Sequence, residues 1–281
     1  MGTLFQDIRY GWRAIRSRPG FTLMTIIALA LGIGASTAIF SVVQAVLLRP
    51  LPYAAPDRLV WLWESNPGSG IRNEPTSIPN FRDWRSQNQS FAELTGWGRT
   101  MAILGGDEPE RVPGAAVVAN FFDTFGVAPF IGRGFHAEEN TPGQNRVIVL
   151  SHSFWQRRFG ADRNISGKTV TLNGVLHTIV GVMPASFQHP DPGTPTPPEL
   201  WLPLAINPSA DGRRGDFLRV VGRLKPGVSL EQASVEMASL TARLAVQYPA
   251  ANAGWTVTAL SLHERFTGNI RKPLWIIMSA V

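Results

Sequence analysis

The stretch ADRNISGKTVTLNGVLHTIVGVM, Ala161–Met183, admits two incompatible folds. Gly167-Lys168-Thr169 are the three residues that close a phosphate-binding P-loop, which would put a helix after Thr169 and make the protein a nucleotide hydrolase. Such a loop needs a first glycine five positions before Gly167, so that backbone N–H groups can curl around the phosphates. Position 162 is Asp, and the nearest upstream glycine, Gly160, stands two residues too early. After Lys168 comes β-branched alternation on either side of Asn173-Gly174, the pattern of a type I′ hairpin. Two strands are expected, with Lys168 opening the first of them on a solvated surface.

The sequence on both sides of this hairpin is α+β in character. RVIVL reads as a strand and runs into SHSFWQRRFG, a helix capped by Ser151. Further strands are expected at RLVWLWES, RVPGAAVVA, ELWLPLAI, DFLRVVGRLKPG and GWTVTALSL, with helices at SIPNFRDWRSQ, capped near Ser77, and at NFFDTFG. VSLEQASVEMASLTARLAVQYP is the strongest helix: Ser229 and Gln232 form a capping box, and Leu230, Ala233, Met237, Leu240 and Leu244 line one face. HPDPGTPTPPE, His189 to Glu199, is six parts in eleven proline or glycine and reads as a loop or a seam between subdomains. Two small α+β lobes over about 50–270 are expected.

The first fifty residues read differently. From Phe21 to Leu48 no Asp, Glu, Lys, Arg or His occurs, and about 20 apolar residues span a bilayer. A signal h-region is shorter, at about 7–15 residues, so 21–48 is expected to be a retained transmembrane helix. Arg9, Arg13, Arg16 and Arg18, against Asp7 alone, put +3 of the chain's net charge of +6 into the first twenty residues. The positive-inside rule then sets the N-terminus in the cytoplasm and the domain outside. This basic charge belongs to a membrane flank, and no nucleic-acid partner is expected. Leu4, Phe5, Ile8, Trp12 and Ile15 recur at helical spacing over 1–20, as in a helix lying in the lipid interface or docked on a cytoplasmic partner. Within the span Ala28, Gly32 and Ser36, and likewise Ala30, Gly34 and Ala38, repeat every fourth position, where small side chains let another helix approach closely. NIRKPLWIIMSAV begins a second apolar run after Arg271 and Lys272, and 271–281 is expected to be the start of a truncated second span.

No catalytic constellation emerges. The absence of cysteine excludes disulfides, thiolate metal sites and cysteine nucleophiles. His136, His152, His177, His189 and His263 show no metal-ligand spacing. Glu138-Glu139 and the Asp107, Glu108, Glu110 cluster fall in loop-like text, where solvated charge is expected, and Trp61, Trp63, Trp84, Trp155 and Trp201 belong to core elements. No cofactor, no metal and no enzymatic activity are expected.

The phrases VVANFFDTFGVAPFIGRGF, VIVLSHSFWQRRFG, GKTVTLNGVLHTIVGVMPASF, LWLPL and RLKPGVSLEQASVEM, in this order, closely resemble the extracytoplasmic domain of MacB/FtsX-type ABC transporter permeases. The resemblance covers nearly the whole chain, and it implies an inner-membrane permease, here as a fragment of a larger one. The first helix would be followed by a two-lobed periplasmic domain and then by further helices that dimerise or pair with a second permease half. A partner ABC ATPase would bind on the cytoplasmic side and drive the periplasmic lobes to push substrate onward in efflux or export. The alternative is a membrane-anchored periplasmic binding or adaptor module that does not transport.

Overall fold

The computed structural model describes residues 10–13, 15–44, 50–106, 108–206, 212–213 and 217–279. They fall into two units, one formed by residues 1–49 with 267–281 and the other by residues 50–266.

In the first unit, residues 10–13 and 15–17 are helical. A 25-residue helix comes next, α1 (Pro19–Val43), with proline in its first turn. At 1.5 Å per residue it is about 37 Å long, enough to cross a hydrocarbon core of about 30 Å with tilt. Four of its five hydroxyls are turned back onto the helix: Thr22, Thr25, Thr37 and Ser41 donate to the carbonyls of Arg18, Phe21, Ile33 and Thr37 at 2.7–3.1 Å. That satisfies their polar atoms without a solvent partner, as an apolar surrounding requires. Among the described residues α1 is the one helix long and apolar enough to span a membrane.

The second unit is built on a mixed sheet of eleven strands. In chain order they are β1 (Leu59–Asn66), β2 (Ile71–Glu74), β3 (Phe91–Leu104), β4 (Glu110–Val117), β5 (Ile131–Gly132), β6 (Val147–Leu150), β7 (Thr169–Leu172), β8 (Val175–Val182), β9 (Leu200–Pro203), β10 (Arg219–Leu224) and β11 (Thr256–Ser261). Their spatial order is β11-β1-β10-β3-β4-β9-β6-β8-β5, with β2 against β1 and β7 bridging β3 and β8. The helices are α2 (Ile78–Gln87), α3 (Phe121–Phe125), α4 (His152–Phe159), α5 (Leu230–Gln247) and α6 (Pro249–Asn252); α7 (Leu262–Ser279) starts at the end of this unit, and its residues from 267 on belong to the first.

Strict alternation along the strands divides the core. On β1, Leu59 and Trp61 face one way and Val60 and Leu62 the other; on β6, Val149 opposes Ile148 and Leu150. One face joins Leu59, Trp61, Trp97, Val117, Val149, Val221 and Trp201 under the three phenylalanines of α3. The opposite face carries two separate apolar clusters. One lies beneath α2 and α5, through Phe81, Trp84, Met237 and Leu240; the other lies beneath α4, through Phe154 and Trp155. The domain is thus α+β, with two helical layers on one sheet.

Most elements stand where the sequence puts them. Ser77, Ser151 and Ser229 accept from the backbone N–H of Asn80, Phe154 and Gln232, and the Ser229–Gln232 capping box is complete. Asn173 (φ 51°) and Gly174 (φ 80°) adopt the two left-handed conformations of a type I′ turn between β7 and β8. Lys168 precedes β7 and pairs on the surface with Asp162 at 2.5 Å, so the P-loop reading is excluded by the fold as well. Two features differ from the sequence reading. The 14-residue β3, which carries no expected element, is the strand that unites the sheet, pairing β10 through Phe91–Trp97 and β4 through Trp97–Leu104. The helix holding residue 271 also starts earlier, at Leu262.

Candidate functional site

Of the residues singled out in the first unit, Leu4, Phe5, Ile8 and Arg9 lie outside the described residues, and the small residues of α1 are displayed. Ala28, Ala30, Gly32, Gly34, Ser36 and Ala38 are exposed on α1, and nothing outside the local helix backbone lies within 4 Å of a Cβ built at Gly32 or Gly34. Arg13, Arg16 and Arg18 are exposed at the helical N-terminal flank.

The second unit holds a charge cluster that the sequence reading missed. Asp191, in the proline-rich loop after β8, has a side chain only 1% exposed. It is the shared counter-ion of three arginines from distant elements: Arg99 of β3, which hydrogen-bonds to it (Nη2 to Oδ2, 3.2 Å), Arg219 at the start of β10 (Nε 3.1 Å from Oδ2) and Arg265 in the first turn of α7 (Nη2 3.8 Å from Oδ1). Thr194 Oγ1 and the Gly193 N–H also donate to it, at 2.9 and 3.1 Å. Burial alone would raise its pKa. The Thr194 hydrogen bond, the Arg219 charge, the Gly193 N–H and Arg99 outweigh that and hold the carboxyl below the ordinary range.

Two neighbours lock this loop further. The Tyr53 hydroxyl, in the segment that opens the domain, donates to the Gln188 carbonyl at 3.0 Å. His189 packs edge-on to Trp97 and nearly parallel to Phe121, with ring centroids 5.3 and 5.9 Å away. The residue keeps some open surface, but its Nδ1 is enclosed without a hydrogen-bond partner, and burial pushes its pKa down to about 3. Arg265 lies over the rings of Trp61 and Trp63, 5.0 and 5.4 Å from their centroids. One loop therefore grips the first segment of the domain, through Tyr53, and the helix that leaves it, through Arg265.

The other expected positions scatter. Glu138 is exposed, but Glu139 is not the solvated charge expected: Arg133 holds it in a two-pronged pair at 2.7 and 3.0 Å, and its carboxylate accepts the His136 N–H. Glu110 pairs with Arg157 at 2.7 Å, and Asp107 lies outside the described residues. Trp61, Trp84, Trp155 and Trp201 are buried core residues and Trp63 is half-buried. Among the described residues no group of three or more His, Asp or Glu could hold a metal ion. A pocket of about 290 Å³ opens between the first turn of α4 and Met183, Phe187 and Trp201, lined on its polar side by Ser151, His152 and Gln156.

Residues 22–240 match the family model described as the MacB-like periplasmic core domain. That stretch includes most of α1 and the sheet up to α5, and the chain belongs to this family. No curated protein matches it in sequence. Among solved structures it is similar to the periplasmic region of MacB from Actinobacillus actinomycetemcomitans, at 18% identity and a TM-score of 0.55 over 83% of this chain and 98% of that one. A permease domain from Porphyromonas gingivalis aligns at 16% identity and a TM-score of 0.54, over 74% of this chain and 91% of that one. The extracellular domain of the noncanonic ABC-type transporter YknZ from Gram-positive bacteria aligns at 12% and 0.51, over 71% of this chain and 99% of that one. At these identities the likeness is one of fold. Together with the family match it makes the 50–266 unit a MacB-like periplasmic domain of the ABC-permease type, carried with an apolar helix.

Proposed function

We propose that the chain acts as a permease subunit of a MacB/FtsX-type ABC transporter, coupling ATP hydrolysis by a partner ATPase in the cytoplasm to movement of its periplasmic domain in efflux or export. The observation that carries this reading is the family match over residues 22–240, which takes in most of the membrane-type helix and of the domain together. Arg13, Arg16 and Arg18 before α1 favour an inner-membrane orientation with the N-terminus in the cytoplasm. In this reading Arg9, Arg13, Arg16 and Arg18 meet anionic lipid, and the rows Ala28, Gly32, Ser36 and Ala30, Gly34, Ala38 pack against a helix of a second permease half or a second copy.

The α2–α5 cluster and the α4 cluster, on one face of the sheet and joined by β3, act as the two lobes. The Asp191 loop is the coupling element, since it holds Tyr53, which comes after the first helix in the chain, and Arg265, which opens the last. Hydrolysis belongs to the partner: Gly167-Lys168-Thr169 leads into a strand, and no phosphate loop forms there.

The test is co-purification of the protein from membranes, followed by ATPase assay in reconstituted vesicles. A co-eluting ATPase whose rate responds to substitutions at Asp191 supports the proposal. A stable protein that recruits no ATPase would leave the anchored binding or adaptor module as the better reading.

A further inference from the structure

The cluster around Asp191 does not balance. Three guanidinium groups converge on a single carboxylate, and among the described residues no second acidic side chain pairs with any of them. A guanidinium has five N–H donors. Asp191 accepts a hydrogen bond from Arg99 Nη2, which also reaches the Gly193 carbonyl and Thr194 Oγ1, whereas Arg219 Nε and Arg265 Nη2 stand 3.1 and 3.8 Å from the carboxylate as ion pairs. The terminal nitrogens of Arg219 and the Nε and Nη1 of Arg99 are left without a protein acceptor among the described residues. The Nε of Arg265 is fully buried and likewise has none. A buried donor with no acceptor is costly, and like charges so close repel unless an anion lies among them. The charge on Arg219 is disfavoured by its own burial and by Arg99 and Arg265, with Asp191 opposing. His189, the remaining titratable neighbour, is held neutral and supplies no negative charge.

We infer that Arg99, Arg219 and Arg265 form a binding site for a phosphate group, with Asp191 as the fixed internal counter-ion that preorganises them. A phosphate suits the geometry because guanidinium forks bind its oxygens in pairs, and its charge of up to two matches the excess of three arginines over one aspartate. Arg99, 45% exposed, forms the mouth, while Arg219 and Arg265, at 24% and 22%, form the floor. The tryptophans under Arg265 keep its guanidinium plane fixed, so little side-chain freedom is lost on binding. The phosphate can be free in solution or belong to a phospholipid headgroup. The inference does not depend on the transport reading, since it concerns only what these side chains can hold.

The experiment uses the full chain in detergent. Isothermal titration with inorganic phosphate is run beside native mass spectrometry after addition of phosphatidylglycerol, on the wild type and on Arg99→Gln, Arg219→Gln and Arg99→Lys. Circular dichroism confirms that each variant is folded; Arg99→Gln is the safeguard, since it leaves two arginines on Asp191. Phosphate binding weakened at least tenfold in both glutamine variants and partly restored in Arg99→Lys supports a site for free phosphate. Retention of phosphatidylglycerol by the wild type and its loss in the glutamine variants, without binding of inorganic phosphate, supports the same site with a lipid source. Binding of neither probe, or binding that Arg99→Gln leaves unchanged, overturns the inference.

Discussion

His189 lies between Trp97 and Phe121, an environment that accepts a neutral imidazole and rejects an imidazolium. Its folded pKa of about 3 lies below the ordinary 6.5, so between these values the unfolded chain takes up a proton that the folded protein does not. Stability contributed by the neutral ring is complete above pH 6.5 and declines as pH falls towards 3, by at most about 1.4 kcal/mol per pH unit. Asp191 acts in a lower window. Its folded pKa is depressed, so its contribution is complete above the ordinary value of 3.8 and is lost as pH falls further. Urea unfolding at pH 7, 6, 5 and 4 should therefore show a decline that His189→Phe flattens while leaving the fold intact. An unaltered slope in that variant would mean the ring is not the group being titrated. None of this was visible in the residue string. His189 and Asp191 sit in a run of prolines that reads as a loop or a seam between subdomains, and their partners Trp97, Arg99, Arg219 and Arg265 lie some 28 to 92 positions away.

Among the elements, α5 and β3 mark opposite ends of legibility. The helix announces itself by a capping box and an apolar row at helical spacing, both local, and the structure buries Ala233, Met237, Leu240 and Leu244 as that row requires. Replacing Ser229 by Ala should cost about 1 kcal/mol, the usual value of a lost N-cap, read as a shift of the denaturation midpoint. Strand β3 carries no such signal. Its centre, Leu94–Gly98, is buried throughout, so the alternation that betrays a half-exposed strand is missing there. Its glycines look like turn residues, yet Gly96 is there because the neighbouring strand approaches closely: a Cβ at 96 would meet Leu218 Cγ at 2.8 Å and the Arg219 carbonyl oxygen at 3.0 Å. Gly96→Ala should destabilise the domain by about 2 kcal/mol, since a backbone oxygen cannot step aside. A midpoint equal to wild type would show that β3 and β10 can separate without cost.

For the whole molecule, the predictions concern association and coupling. Small residues on a membrane helix permit close approach, so Gly32→Leu should reduce crosslinked pairs formed in membranes, whereas a change at an exposed position off both small-residue rows, such as Leu31→Ile, should not. Unchanged pairing in Gly32→Leu would remove that face from the interface. Asp191→Asn keeps the shape but strips the one negative charge from among three arginines. It should destabilise the domain by about 2 kcal/mol, a value discounted because the arginines are partly exposed. It should also lower the ATPase response in vesicles. A variant that loses stability but keeps full coupling would confine the cluster to a structural role.

Whatever depends on neighbours along the chain is already decided in the order of residues. This holds for the uncharged run of 21–48 and its basic flank, the caps at Ser77, Ser151 and Ser229, the Asn173-Gly174 turn that disposes of the P-loop, and the ordered phrases that place the chain among MacB-like domains. Such features are set by backbone geometry and by transfer from water over spans of a few to some thirty residues, and they can be read in order. It took the folded chain to settle that β3 is the strand that joins the α2–α5 cluster and the α4 cluster in one sheet, and that Arg99, Arg219 and Arg265 meet on Asp191. Strand order and charge pairing are settled by which distant surfaces exclude water together, and no local pattern of residues records that choice.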